Sequence, residues 1–341
     1  MSVFIIAEAG VNHNGDIQKA LALIDAAVEA GADAVKFQTF KADALVSKTA
    51  KQAEYQAQNT GKEQSQYELL KTLELSESEH QQLVDYCQQR NIEFMSTAFD
   101  NDSIELLKKL GMRRWKIPSG ELLSVPYLRK IASLNQPTIL STGMGNLSEV
   151  EFSIKTLLEA GLVKSNLTIL HANTAYPTPY KDVNLRAMQT LAQEFEVPIG
   201  LSDHSLGIEV PIAAVALDAT VIEKHFTLDK MLPGPDHKAS LEPDELKAMV
   251  QSIRHIELAM GTGIKSASAS ESKNKKIARK RIVAARNIKK GEKFTEDSLR
   301  LQRANEGVFS QCWDQLLQLK AQQDYQLNDP IMESKLILDE F

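Results

Sequence analysis

From residue 3 to about residue 260 the chain alternates between short apolar runs and longer stretches in which apolar positions recur every three or four residues. The runs are Val3–Ala7, Ala34–Phe37, Glu93–Ser96, Arg114–Ile117, Thr138–Ser141, Leu167–Leu170, Pro198–Leu201 and Thr220–Glu223. Nearly continuous apolar runs of this length predict strands covered on both faces, as in a parallel sheet. Between them the helical period predicts helices over Ile17–Ala30, Glu77–Arg90, Asp102–Leu110, Pro126–Leu134, Leu147–Ala160 and Asn184–Glu194. Strand-then-helix units repeated in this way predict an α/β fold of the closed (β/α)8, or TIM-barrel, type. An open doubly wound sheet is the alternative, but its first turn would carry a Gly-rich dinucleotide fingerprint. The turn here reads Glu8-Ala9-Gly10-Val11-Asn12-His13-Asn14-Gly15 and does not match.

The pattern changes after residue 260. Gly261–Ser270 is small and polar and Lys273–Arg281 is basic, which predicts a solvated linker. The expected division is a barrel over 1–262, a linker over 263–280 and a small domain over 281–341. In the tail, Arg281–Ala285 and Lys289–Thr295 read as short strands with turns. So short a tail buries little core of its own, so it is expected to dock on the barrel or on a second subunit.

Composition narrows the partners. The 341 residues carry a net charge of −6, with 43% hydrophobic and 25% charged residues. Those values suit a globular chain and give no basis for binding nucleic acid or an anionic membrane. Cys87 and Cys312 form no metal or redox spacing, and the N-terminus lacks a basic, apolar leader, so a cytoplasmic location is expected. The apolar stretch Val210–Ile222 is interrupted by Asp218 and is too short to span a bilayer.

In a barrel, chemistry gathers where the strands end. Successive runs end in Glu8, Asn12 and His13; Lys36 and Gln38; Ser96 and Thr97; Lys116, Ser119 and Glu121; Ser141 and Thr142; His171, Asn173 and Tyr176; Ser202, Asp203 and His204; and Glu223 and His225. Buried charges are costly unless paired or used, so such a ring suggests an anionic substrate and acid–base work. Lysines with hydroxyls suit phosphate or carboxylate. His204 and His225 end neighbouring strands, and two imidazoles without a thiolate suit a divalent metal with open positions.

Each of these residues also has a plainer reading. A strand-end histidine often only holds a loop, and for His13 and His171 both readings stand. Lys36 could be a surface ion-pair residue, although its apolar neighbours Val35 and Phe37 favour the barrel mouth. Lys116, if desolvated, could instead form a Schiff base, which makes an aldolase the rival enzyme class. A carbohydrate- or ice-binding protein built on the tail is the non-catalytic alternative, and the ring of charges argues against it.

Ile6–Gly15, Lys36-Phe37-Gln38-Thr39, Lys116–Glu121, Ser141-Thr142-Gly143-Met144, Gly200–Ser205 and Glu223–Thr227 with Gly234-Pro235-Asp236-His237 resemble the sialic acid synthase family. The resemblance spans nearly the whole chain and includes a C-terminal antifreeze-like (SAF, β-clip) domain. It implies condensation of phosphoenolpyruvate with an N-acylated hexosamine to give a nine-carbon 2-keto acid and phosphate. It also implies a domain-swapped homodimer in which the partner's SAF domain covers the barrel mouth.

Carried over by position, the resemblance implies that His204 and His225 hold a divalent metal, manganese first, with magnesium or cobalt as alternatives. Lys36, Lys116, Ser119, Ser141 and Ser202, with Thr97 and Gln38 beside them, match substrate positions for phosphoenolpyruvate. Glu121 matches the carboxylate that orients or deprotonates water, and Glu8 and Glu223 match carboxylates near the reacting sugar carbon. Thr174, Tyr176 and Asp236 match sugar contacts, and Arg303 matches the SAF-domain arginine that reaches the N-acyl group. The chain departs from the family pattern at Ala172, where cysteine is common, and in Arg303-Ala304-Asn305-Glu306-Gly307, which lacks the usual proline. Asn173–Asp182 and Ala269–Arg281 place N-acetylneuraminate synthesis from N-acetylmannosamine first. The alternative is N,N'-diacetyllegionaminate synthesis from a 6-deoxy diacetamido sugar, a branch that shares the Ala53-Glu54-Tyr55-Gln56 region.

Overall fold

A computed structural model describes residues 2–51 and 65–336, so Ala53–Gln56 lie outside the described residues. The chain divides into two compact units, Met1–Gly261 and Thr262–Phe341.

The first unit holds eight parallel strands: β1 (Phe4–Gly10), β2 (Ala34–Thr39), β3 (Glu93–Ala98), β4 (Trp115–Ile117), β5 (Thr138–Ser141), β6 (Leu167–Ala172), β7 (Ile199–Asp203) and β8 (Val221–His225). Their hydrogen-bonded order is β3-β2-β1-β8-β7-β6-β5-β4, so the last strand pairs with the first. That pairing sets Glu8 opposite His225, and β7 sets Ser202 opposite Glu223 and Asp203 opposite Lys224. Strands β3 and β4 lie side by side without a ladder. Across this seam Arg114 Nε is 3.0 Å from Glu93 Oε1, and the Arg114 guanidinium lies 4.2 Å from the Phe4 ring centroid. The expected barrel is therefore present, laced everywhere except at one seam.

Local chemistry sets the helices as the pattern predicts. Ile17–Ala30 begins at Asp16, whose carboxylate accepts from Gln18 N–H, and stops at Gly31, whose φ of 81° few other residues adopt. Glu77–Gln89 and Leu147–Glu159 start with capping boxes, Ser76 with Glu79 and Asn146 with Glu149. The periodicity does not reveal the helix Glu209–Ala216, the first half of the Val210–Ile222 stretch, because apolar residues cover it on most sides. Asp218 then turns the chain, with φ of 69°, into β8. No helix among the described residues is long and apolar enough to cross a membrane.

In the second unit the basic run forms an exposed helix, Ser272–Ala278. Strand β9 (Lys280–Ala284) pairs antiparallel with β10 (Leu299–Arg303). Ile282, Ala284, Ile288, Phe294, Leu299, Val308, Leu316 and Ile331 give this unit a buried cluster of its own. Arg281 stacks on Phe309, with 3.3 Å from guanidinium carbon to ring centroid, and donates to the Gly307 carbonyl.

Candidate active site

The barrel interior is layered by the two-residue period of its strands. Ile6, Ala34, Met95, Ile139, Leu170 and Val221 form one apolar floor with Phe4. Two residues further along the same strands stand Glu8, Lys36, Thr97, Ser141, Ala172 and Glu223, all buried. Hydrophobic residues below and polar ones above thus come from one register, and the chemistry rests on a dry base.

Within the second layer the charges pair. Lys36 Nζ lies 2.7 Å from Glu8 Oε2 and 3.7 Å from Glu223 Oε2, and donates to Thr97 Oγ1 at 3.0 Å. Lys116 Nζ lies 2.9 Å from Glu223 Oε1, which also accepts from Ser202 Oγ at 2.9 Å. Gln38 donates weakly to Glu8, at 3.5 Å. Two carboxylates and two ammonium groups therefore balance in a site shielded from water. Burial pushes the Glu8 carboxyl up to about 7 against the pull of Lys36. Burial would raise Glu223 too, but Lys116 and Lys36 together hold it well below the usual carboxylate range. Burial lowers Lys116, whereas for Lys36 it is outweighed by the two glutamates, which keep that lysine charged.

Above this layer the mouth is built from loops. Ser119, on the 3-10 turn Ser119–Glu121, accepts from Gly143 N–H at 3.0 Å. A Cβ on Gly143 would lie 2.6 Å from Ser119 Oγ and 2.8 Å from Thr174 Cγ2, so three successive loops converge on a glycine. Glu121 is half-buried on the same turn, and its carboxyl enters none of the ion pairs of the layer below. Asp236 is buried in the loop after β8, which raises its carboxyl to about 6. Asn12 ties that loop down, donating to the Phe226 carbonyl and to Ser240 Oγ. Arg303 is exposed at the end of β10 in the second unit.

His204 and His225 are brought together, with ring centroids 5.4 Å apart, and the Tyr176 ring lies 4.1 Å from His204 and 5.6 Å from His225. The His204 Nδ1 partner is the Asn173 carbonyl, which can only accept. Nδ1 therefore carries the proton, and the neutral ring keeps its lone pair on Nε2. Burial lowers His204 to about 4 and takes His225 well below its usual value, so both rings are neutral near pH 7. His225 Nδ1 is buried without a hydrogen-bond partner among the described residues. Two neutral imidazoles, one with a backbone-fixed tautomer, are a donor set that fits a divalent cation. Among the described residues no group of three or more His, Cys, Asp or Glu side chains is arranged to hold a metal alone, so substrate or water oxygens would complete the shell.

His171 and His13 take the loop-holding role. His171 faces outward and its Nε2 meets the Val183 carbonyl at 2.6 Å, while His13 Nδ1 accepts from Gly15 N–H. One residue escapes a reading of strand ends, Lys224. It lies between Glu223 and His225 on the opposite face of β8, fully buried, with Nζ 2.5 Å from Asp203 Oδ2. The signal was in the alternation itself, since a charge flanked by two inward residues must be buried outside the barrel.

Comparison with known proteins supplies the family. The NeuB family model matches residues 23–265 and the SAF domain model residues 279–337. An N,N'-diacetyllegionaminic acid synthase of Campylobacter jejuni is 50% identical over 96% of this chain and 98% of its own length. Another, of Legionella pneumophila, is 52% identical over 90% of this chain and 87% of its own. The crystal structure of an N-acetylneuraminic acid synthetase from Leptospira borgpetersenii superposes with a TM-score of 0.70 at 37% identity, covering 80% of this chain and 90% of that one. On these matches the chain belongs to the NeuB family and is an enzyme, a synthase whose barrel is followed by a SAF domain.

Proposed function

We propose that this enzyme condenses phosphoenolpyruvate with a 6-deoxy diacetamido hexose to give N,N'-diacetyllegionaminate and phosphate. The observation that carries the choice of sugar is the identity of 50 and 52% to synthases of that name, against 37% to the sialic acid synthetase. It reverses the order expected from the sequence, which put N-acetylmannosamine first.

The buried layer supports the phosphoenolpyruvate half of this reading. Lys36 and Lys116, with Thr97, Ser119, Ser141 and Ser202, offer ammonium and hydroxyl donors to a phosphate and a carboxylate. Binding there exchanges the internal partners of the lysines for substrate oxygens, so the anion meets donors already dehydrated and aimed. Glu8 and Glu223 flank the place where C3 of phosphoenolpyruvate would meet the sugar carbonyl carbon. Water must then add at C2 before phosphate leaves, and Glu121, at the rim and reachable by water, suits that role.

His204 and His225 would hold a divalent cation, manganese first and magnesium or cobalt as alternatives. When bound, it would polarise the sugar aldehyde as a Lewis acid. Tyr176, Thr174 and Asp236 at the mouth suit sugar hydroxyl and amide groups. Met144, Tyr180, Leu206 and Met231 leave the mouth loops with exposed apolar side chains, which suits cover by a second copy, with its Arg303 reaching the acyl group. The two free cysteines agree with action in the cytoplasm.

Phosphate release from phosphoenolpyruvate with manganese tests the reading. The 6-deoxy diacetamido sugar is expected to give a kcat/KM roughly tenfold or more above that of N-acetylmannosamine. A preference for N-acetylmannosamine would overturn it.

A further inference from the structure

We infer that the buried Lys224–Asp203 pair, on the outer face of the barrel, is a clamp that fixes the spacing of His204 and His225. The inference rests on the reading that those histidines hold a divalent cation.

Asp203 and Lys224 are directly opposite in the β7–β8 ladder. Lys224 Nζ donates to Asp203 Oδ2 at 2.5 Å and also to the Ser205 carbonyl. Asp203 in turn accepts from Ser205 N–H and from Ser205 Oγ, each at 3.0 Å. One ammonium group thus holds the residues on both sides of His204, while its own backbone lies between Glu223 and His225. The three side chains are almost inaccessible, at 1% for Lys224, 3% for Asp203 and 0% for Ser205. On the inner face His204 is held separately, its carbonyl accepting from Thr178 N–H and its Nδ1 donating to Asn173.

A buried ion pair is a poor source of net stability, since well-packed apolar residues often serve as well. Its value here is geometric. The strands deliver the two imidazoles to one rim, but His204 lies one residue beyond the end of β7, where no ladder bond holds it. The clamp replaces that missing ladder. Removing the supports behind a metal ligand commonly weakens metal affinity 10- to 100-fold. Lys224 and Asp203 are therefore positioning residues that touch neither substrate nor cation.

Manganese binding to the full-length protein, followed by electron paramagnetic resonance of the free ion, tests this without turnover. Lys224→Met alone strands a buried carboxylate, so the informative variant is Asp203→Leu with Lys224→Met, which removes both charges. It is expected to unfold near the parent temperature and to bind manganese about tenfold or more weakly. If that double variant does not fold, Ser205→Ala, which keeps the ion pair and loses one bond to Asp203, is expected to weaken binding by a smaller factor. Parent affinity in the folded double variant, with loss in His204→Ala, overturns the clamp alone. Parent affinity in His204→Ala overturns the histidine site itself.

Discussion

Lys116 and Glu223 meet at 2.9 Å, each with under a twentieth of its surface exposed, and Glu223 is shared with Lys36 and Ser202. One carboxylate thus bridges two ammonium groups at the centre of the barrel, with Glu8 completing the charge balance at Lys36.

Replacing Glu223 with Gln leaves both lysines short of a partner, and removing one member of a buried pair typically costs about 3–5 kcal/mol. The variant is expected to unfold at a lower temperature than the parent. Phosphoenolpyruvate, as a replacement anion, is expected to raise that temperature more in the variant than in the parent. Thermal unfolding with and without phosphoenolpyruvate checks both, and equal ligand shifts would contradict the assignment of the lysines.

Lys116 donates to the Glu223 carboxylate at 2.9 Å as an ammonium group, which has no lone pair with which to attack a ketone. Borohydride treatment in the presence of pyruvate is expected to leave Lys116 unmodified by mass spectrometry. A trapped adduct at that residue would revive the aldolase reading.

Gly143 sits where a methyl group would press on Ser119 Oγ at 2.6 Å and Thr174 at 2.8 Å. Gly143→Ala is expected to displace Ser119 and raise the KM for phosphoenolpyruvate several-fold, with little change in manganese affinity. An unchanged KM would place Ser119 outside the anion site.

His13 is held down to about 4 from 6.5, chiefly by burial and then by nearby His80. A base depressed on folding contributes stability above its unfolded value, and that contribution is lost as pH falls towards the folded one. The window here is pH 6.5 to 4, and the shift corresponds to at most about 3 kcal/mol. Urea unfolding across that window is expected to show a shallower pH dependence for His13→Asn than for the parent. Parallel curves would mean that His13 is protonated in the folded protein.

Sequence reading reached the strands and the inward charges for one physical reason: period-two parity survives in a parallel barrel. Lys36 between Val35 and Phe37 could be assigned to the interior before any partner was known. Its partners could not be named: Glu8 stands opposite it on the neighbouring strand β1, but Glu223 reaches it only because β8 closes the ring beside β1. The helix Glu209–Ala216 was hidden by its lack of a polar stripe, and Lys224 by a search confined to residues at the mouth. The choice of sugar was not legible either, since the side chains proposed to contact it, such as Tyr176 and Asp236, are of types that suit both candidates.

The seam between β3 and β4 gives the two lysines different mechanical surroundings. Lys36 rides on a strand laced on both sides, while Lys116 rides on a three-residue strand laced to β5 alone. Amides of β4 that face β3 have no ladder to break, so hydrogen exchange there should precede exchange in β1 and β2. The ring is therefore expected to open first at that strand. Of the two lysines beside Glu223, Lys116 thus stands on the strand with fewer backbone ties.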